Sequence, residues 1–140
     1  MSVKEEDLIY YTIERLGEGT PFRLSRILFL LDLSYWKTKG QKLTSLRYIL
    51  SPFVFYIEDF RHYLEQTPGV KRIEIKDEQG NPVRGYFKVV SFRKVNLDEK
   101  VEKLLDEIID FIKGMSNKEL NEYVTGLPEY KKFCEERIWE

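Results

Sequence analysis

His62 is the only histidine in the chain, and Glu58 and Asp59 precede it by four and three residues. On a helix that spacing puts a carboxylate and an imidazole on one face, the arrangement of a general base and the group that orients it. Such a pair needs a nucleophile or a metal to act on. The sequence supplies neither: it has no HxxxH, HExxH or GxSxG pattern and no glycine-rich phosphate or dinucleotide loop. His62 therefore reads as a solvated surface residue. Cys134 is the single cysteine, which excludes an intrachain disulfide and a multi-cysteine metal site, and it reads as a small packing group. Asp32 interrupts an apolar run, where an unpaired carboxylate would be costly. It must reach water, Arg26, Lys37 or a backbone amide. No residue is assigned a catalytic role, and no metal or cofactor is expected. The side chains point to a molecule that acts by docking and not by chemistry.

The elements that would carry such a surface can be read from pattern and punctuation. At 140 residues, with 42% apolar and 14% aromatic side chains, the chain has material for one sizeable core. A single domain over 1–140 is expected. No alanine occurs, so helices rest on Leu, Ile, Lys, Glu and tertiary packing. Lys and Glu are plentiful and Gln, Asn and Cys few, a bias shared by heat-adapted proteins and by some codon usages. The amino terminus is acidic, without a signal-type apolar run, and Ile27–Leu31 is too short to span a bilayer. The expectation is a cytoplasmic protein without a membrane partner.

Ser2 with Glu5 reads as a capping box opening a first helix that runs to Leu16 and stops at Gly17 and Gly19. Thr20-Pro21 opens a second helix, with Leu24, Ile27, Leu28, Leu31 and Tyr35 on its inner face and Gly40 at its end. Thr44 or Ser45 is expected to start a short helical turn reaching Leu50. Ser51-Pro52 repeats the start signal, predicting a third helix to Gln66 with Phe53, Ile57, Phe60 and Leu64 inward. The period then changes to two. Val70 to Lys76 and Val83 to Phe92 alternate about a Gln79-Gly80-Asn81-Pro82 turn, a β-hairpin. Asn96 with Glu99 predicts the start of the longest clear helix, ending at Gly114 with Val101, Leu104, Leu105, Ile108, Ile109 and Ile112 in one apolar stripe. Ser116 with Glu119 caps another helix ending at Gly126, and Pro128 starts a last one toward Ile138. The fold class is α+β, with about six helices, one antiparallel hairpin and a winged-helix-like arrangement.

Net charge is −1, but it is unevenly placed. Between Val70 and Lys94 there are seven basic and three acidic residues; from Val95 onward there are seven basic and twelve acidic. Three helices followed by a basic hairpin is the order of a winged helix-turn-helix, in which Arg72, Lys76, Arg84 and Lys88 would touch phosphates. The predicted third helix argues against it. Its outward positions carry Glu58, Asp59 and Glu65 against Arg61, a poor complement to two rows of phosphates. Nucleic acid is thus the disfavoured partner. The lysines and arginines serve equally well to solubilise an exposed hairpin.

Ile27-Leu28-Phe29-Leu30-Leu31-Asp32, then Gly40, Leu43-Thr44, Tyr48, Ser51-Pro52-Phe53, a hairpin, a long helix, Ser116, Glu119-Leu120, Val124-Thr125 and Pro128-Glu129-Tyr130 follow one another in an order that resembles the Panacea domain, the SocA-like antitoxin family of prokaryotes and their viruses. The resemblance covers nearly the whole chain and rests mostly on apolar and turn positions. Ser51, Thr125 and Tyr130 stand where the family carries glycine, histidine and tryptophan. The resemblance implies a non-enzymatic module that neutralises or regulates a partner protein, such as a toxin, by binding it. At or beside its signature positions it nominates Tyr48, Phe53, Tyr56, Thr125 and Tyr130 as partner-binding residues. It names no particular partner, and oligomeric state stays open.

Overall fold

The computed structural model describes residues 4–139. Its order is α1 (Glu5–Leu16), α2 (Pro21–Lys39), β1 (Tyr48–Leu50), β2 (Phe55–Ile57), α3 (Phe60–Gln66), β3 (Val70–Lys76), β4 (Pro82–Val89), α4 (Glu99–Ile112), α5 (Asn117–Thr125) and α6 (Pro128–Glu136). The fold is mixed α+β and mainly helical, with six helices and two separate antiparallel hairpins among the described residues. No helix among the described residues is long and apolar enough to cross a membrane.

The central element is α2. Thr20 caps it by accepting from the Arg23 amide at 3.3 Å, Pro21 fills its first turn, and Gly40 ends it in the left-handed region. Every residue from Leu24 to Leu33 is buried, so this helix is wrapped by the rest of the chain. The α1 and α4 helices lay their apolar stripes against it, α4 through Val101, Leu105, Ile108, Ile109 and Ile112. The α5 helix opens with the expected capping box, Ser116 and Glu119 each bonding the other's backbone amide. The α4 cap is Asp98, which accepts from the Lys100 amide at 2.8 Å; Asn96 lies outside the helix. At 14 residues α4 is also shorter than the 19 of α2.

An aromatic cluster joins α2 to the carboxy-terminal segment. The Phe29 ring meets Tyr48, Phe55, Tyr130, Phe133 and Trp139 at 5.2 to 6.5 Å, all in the edge-to-face geometry that aromatic quadrupoles favour. Trp139 stacks on Phe133 at 4.4 Å.

The segment between α2 and α3 departs from the helical expectation. Neither Thr44 nor Ser45 starts a helical turn; the Thr44 amide donates to Asp32 and the Ser45 amide to Glu5, and the chain runs on into a strand. Tyr48–Leu50 and Phe55–Ile57 instead pair antiparallel, with Tyr48 opposite Ile57 and Leu50 opposite Phe55. Burial alternates along both strands, as a pleat requires. The predicted third helix shrinks to the seven residues of α3, entered through Asp59 in the left-handed region. Ile57, Phe60 and Leu64 are buried as expected, but Phe53 is 95% exposed. The winged-helix order is thus interrupted by a second hairpin and a two-turn third helix. The proposed Ser2 cap lies outside the described residues; Lys4 occupies the N-cap of α1, and the Glu5 carboxylate reaches Ser45 instead.

The β3–β4 hairpin forms where expected, but β4 ends at Val89 and not at Phe92, because the Val90 and Ser91 amides both turn to the Gly69 carbonyl. Gly69, at φ +85°, makes the turn into the hairpin, and a Cβ there would sit 2.5 Å from the Ser91 carbonyl oxygen. Gly19 and Phe87 exchange backbone hydrogen bonds of 2.9 and 2.7 Å, which dock the β4 edge on the α1–α2 turn.

Candidate functional site

The β1–β2 tip combines a firm base with an exposed apolar crest. Ser51 donates its amide to the Val54 carbonyl at 2.9 Å, while its Oγ accepts from the Phe53 and Val54 amides at 3.2 and 2.9 Å. Ser-Pro thus does locally what it does at a helix start, satisfying amides two and three residues on, but the backbone turns back as a hairpin. The turn lifts Phe53 into solvent, with Val54 and Tyr56 about half exposed beside it.

The base is anchored by two side chains, Tyr130 and Arg26. Tyr130 donates its hydroxyl to the Ser51 carbonyl at 2.7 Å, and its ring stacks on Phe55 at 5.7 Å and 3°. Burial pushes that phenol up to about 12, so it keeps its proton as a donor. Arg26, from α2, lies with its guanidinium over Phe22 at 3.8 Å and over Phe55 at 4.3 Å. It donates to Asn121 Oδ1 at 2.8 Å, Ser25 Oγ at 3.0 Å and the Phe55 carbonyl at 3.4 Å. Only 6% of Arg26 is exposed, and no ion pair to a described carboxylate holds it. Burial pulls its pKa down to about 10, which still leaves a cation at neutral pH. Together with Phe53, Asn121, Thr125 and Tyr130 it lines a cavity of about 80 Å³ beneath the tip.

A second set of polar contacts fixes the strand that carries the tip. Asp32 is wholly buried, and its carboxylate accepts from the Leu43 and Thr44 amides (both 2.9 Å), Thr44 Oγ1 (2.6 Å) and Tyr48 Oη (2.7 Å). Of the partners expected from sequence, a backbone amide is the one found; Arg26 goes to Asn121 and Lys37 to Glu129 at 2.9 Å. Burial raises the Asp32 carboxyl above its ordinary range, against the four donors and the nearby Lys42 ammonium. Burial also holds the Tyr48 phenol well above 10, as does the Asp32 charge. Lys42 lies 5.0 Å over the Tyr48 ring, and burial lowers its pKa. Residues 32, 43, 44 and 48, spread over four positions of the sequence motif, therefore form one hydrogen-bonded knot.

The five nominated residues converge on this region, at different depths. Phe53 and Tyr56 face solvent; Tyr48 and Tyr130 are buried and hold the tip from below; Thr125 lines the small cavity and donates to the Asn121 carbonyl at 2.8 Å. Arg26 and Val54 were not singled out as contact residues. A cation within ten buried positions of α2 was the available signal for the first.

The basic-hairpin residues are all exposed, but two are engaged: Arg72 pairs with Glu74, and Arg84 with Glu18. Lys76 sits at a register shift, and Lys88 lies directly opposite Lys71. His62 is exposed on α3, where Arg61 and Glu65 pair at 2.9 Å. The exposed face of α3 thus carries its own compensated charge. Compared with known proteins, the chain matches no family model, no curated protein and no solved structure.

Proposed function

We propose that this chain is a non-enzymatic protein-binding module of antitoxin type, which neutralises or regulates a partner protein by docking the β1–β2 tip into it. The observation that carries the reading is Phe53: an aromatic ring 95% exposed at the crest of a turn whose backbone is fixed from below. An exposed aromatic on a rigid support is the usual form of an interface anchor, since little order is lost when it is buried. Full burial of such a ring stabilises a complex by about 1.5–3 kcal/mol. Beside it lies a buried cation, Arg26, whose hydrogen-bond acceptors are all neutral, so a partner carrying an acidic group next to an apolar socket would suit the surface.

The test is affinity purification from the native host with the wild-type chain and with Phe53→Glu. A stoichiometric protein partner that is retained by the first and lost by the second supports the reading, and co-expression should relieve any toxicity of that partner. Recovery of no such partner, or equal recovery by both chains, refutes it.

A second reading, duplex DNA binding by the β3–β4 hairpin, is favoured by one observation: Lys71 and Lys88 face each other across the ladder, and neither forms an ion pair with a described carboxylate. Like charges in that position cost stability, and a phosphate would relieve them. The short, charge-compensated α3 offers little to a major groove. A salt-dependent mobility shift that Lys71→Ala plus Lys88→Ala abolishes would transfer the assignment to this reading.

A further inference from the structure

The β3–β4 hairpin has one covered edge and one open edge. Phe87 spends its outward amide and carbonyl on Gly19, so the β4 edge is docked on the α1–α2 turn. Phe87 is opposite Arg72. In an antiparallel ladder the residues opposite each other share one hydrogen-bonding direction, so the Arg72 amide and carbonyl also point away from the hairpin, and by alternation so do those of Glu74. Among the described residues no backbone or side-chain group meets the amides or carbonyls of Arg72 and Glu74 on that side. An open strand edge of this kind, centred on Arg72 and Glu74, is a template for another strand.

We propose that β3 pairs with β3 of a second copy of this chain, antiparallel about a two-fold axis through Ile73, so that the two hairpins form one continuous sheet. The sequence of the strand selects this occupant. Val70-Lys71-Arg72-Ile73-Glu74-Ile75-Lys76 has Ile73 at its midpoint, so a register centred there gives every strand residue a strand partner. It sets Arg72 opposite Glu74 of the second copy, and Glu74 opposite its Arg72. Those are the two positions whose free amides and carbonyls point outward, so hydrogen bonds and charge complementarity fall on the same residues. Centring one residue earlier would oppose Arg72 to Arg72, and one later Glu74 to Glu74, like-charge pairs that cost stability. On the other face the register joins Ile73 to Ile73 and brings the Ile75 side chains, 41% exposed in the single chain, into the shared sheet. The interface is isologous and closes on itself, leaving no β3 edge free. It is independent of the β1–β2 tip and does not depend on its assignment.

Charge reversal tests the register. Mass is measured by light scattering across about 5–500 µM, the range in which small interfaces associate, with circular dichroism as a check of folding. The wild type should rise from 16.8 kDa toward twice that value, at lower concentration in low salt than in high salt. Arg72→Glu alone and Glu74→Arg alone should stay monomeric, because each opposes like charges at two places. The double variant R72E/E74R should recover the dimer. Glu74→Pro removes an outward amide that β4 does not use and should also give monomer, which decides the matter if a charge variant fails to fold. A wild type that stays monomeric throughout, single variants that still dimerise, or a double variant that stays monomeric would each overturn the proposal.

Discussion

Removing the Asp32 carboxylate should expose how the tip is held. In Asp32→Ala the amides of Leu43 and Thr44 and the hydroxyls of Thr44 and Tyr48 lose their shared acceptor. Each buried donor left unsatisfied costs about 1–3 kcal/mol. Thr44 and Tyr48 are buried and supply three of the four, so the loss is roughly 3–9 kcal/mol, against a total stability of about 5–15 kcal/mol for a domain of this kind. Tyr48→Phe in the wild type removes one hydrogen bond to a charged acceptor, about 1.5–3 kcal/mol. The informative quantity is the sign of Tyr48→Phe in the Asp32→Ala background. There the phenol is itself an orphan in a fully buried site, so deleting it should restore about 1–3 kcal/mol. Urea unfolding followed by circular dichroism gives all four free energies, and Asp32→Asn provides a milder reference if the alanine variant does not fold. If Tyr48→Phe costs the same in both backgrounds, the knot is not the cooperative unit described above.

Phe29→Ala should cost about 3–5 kcal/mol in the same assay, because Phe29 is the common neighbour of the five rings around it. Phe53→Glu should leave the unfolding free energy within about 0.5 kcal/mol of wild type, since its ring touches water, while weakening any partner docked on the tip by more than about tenfold. The Glu5 carboxyl is penalised by burial, but hydrogen bonds from Ser45 and the charge of Lys42 hold its pKa below the ordinary 4.5. Its contribution is therefore complete above pH 4.5 and is lost as pH falls through the lower folded value. The stability difference between wild type and Glu5→Gln, measured by urea titration at pH 7 and again near pH 3, should shrink at the lower pH; an unchanged difference refutes the link to Ser45. Gly69→Ala should lower the melting temperature sharply, because it combines a positive φ with a 2.5 Å approach to the Ser91 carbonyl.

Punctuation made most helices legible. Thr20-Pro21, Gly40, Ser116 with Glu119, and Gly126 with Pro128 each mark a helix boundary in the structure, because cap and breaker residues act on their immediate backbone. The misread segment, Thr44 to Gln66, failed for a related reason. Ser followed by Pro satisfies the same amides in a hairpin turn as in a helix start, and Phe53, Ile57, Phe60 and Leu64 fit a helical period by spacing alone. Burial at Tyr48, Leu50, Phe55 and Ile57 has period two, but it is visible only once Asp32, sixteen residues before Tyr48, is known to bind the intervening loop. That is tertiary information, and local pattern does not carry it. At the candidate site, Phe53, expected to face inward, and Tyr56 are both exposed on the tip. The depth that separates them from Tyr48 and Tyr130 depended on the hairpin, which the helical reading concealed. Arg26 was considered only as a partner for Asp32; its actual acceptors, Asn121, Ser25 and the Phe55 carbonyl, are neutral and leave no charge pattern in the sequence.

The placement of the polar groups explains why the tip can be both exposed and rigid. A two-stranded hairpin of three-residue strands is marginal on its own in water, and an aromatic side chain at its crest would have every reason to fold back and bury itself. Here each strand is tied to a different part of the core. The carboxylate of Asp32 fixes β1 through Tyr48 and the loop through Thr44. The β2 strand is held at Phe55 between the Arg26 guanidinium and the Tyr130 ring. Tyr130 also bonds the carbonyl of Ser51, the last fixed point before the turn. With both ends of a four-residue turn pinned, Phe53 has no route inward. Its exposure therefore follows from the anchoring beneath it, and weakening those anchors should release the ring before it unfolds the helices. A variant such as Tyr130→Phe, which keeps the stack on Phe55 but removes the hydrogen bond, should thus lose affinity for a docked partner by more than its small loss of stability accounts for.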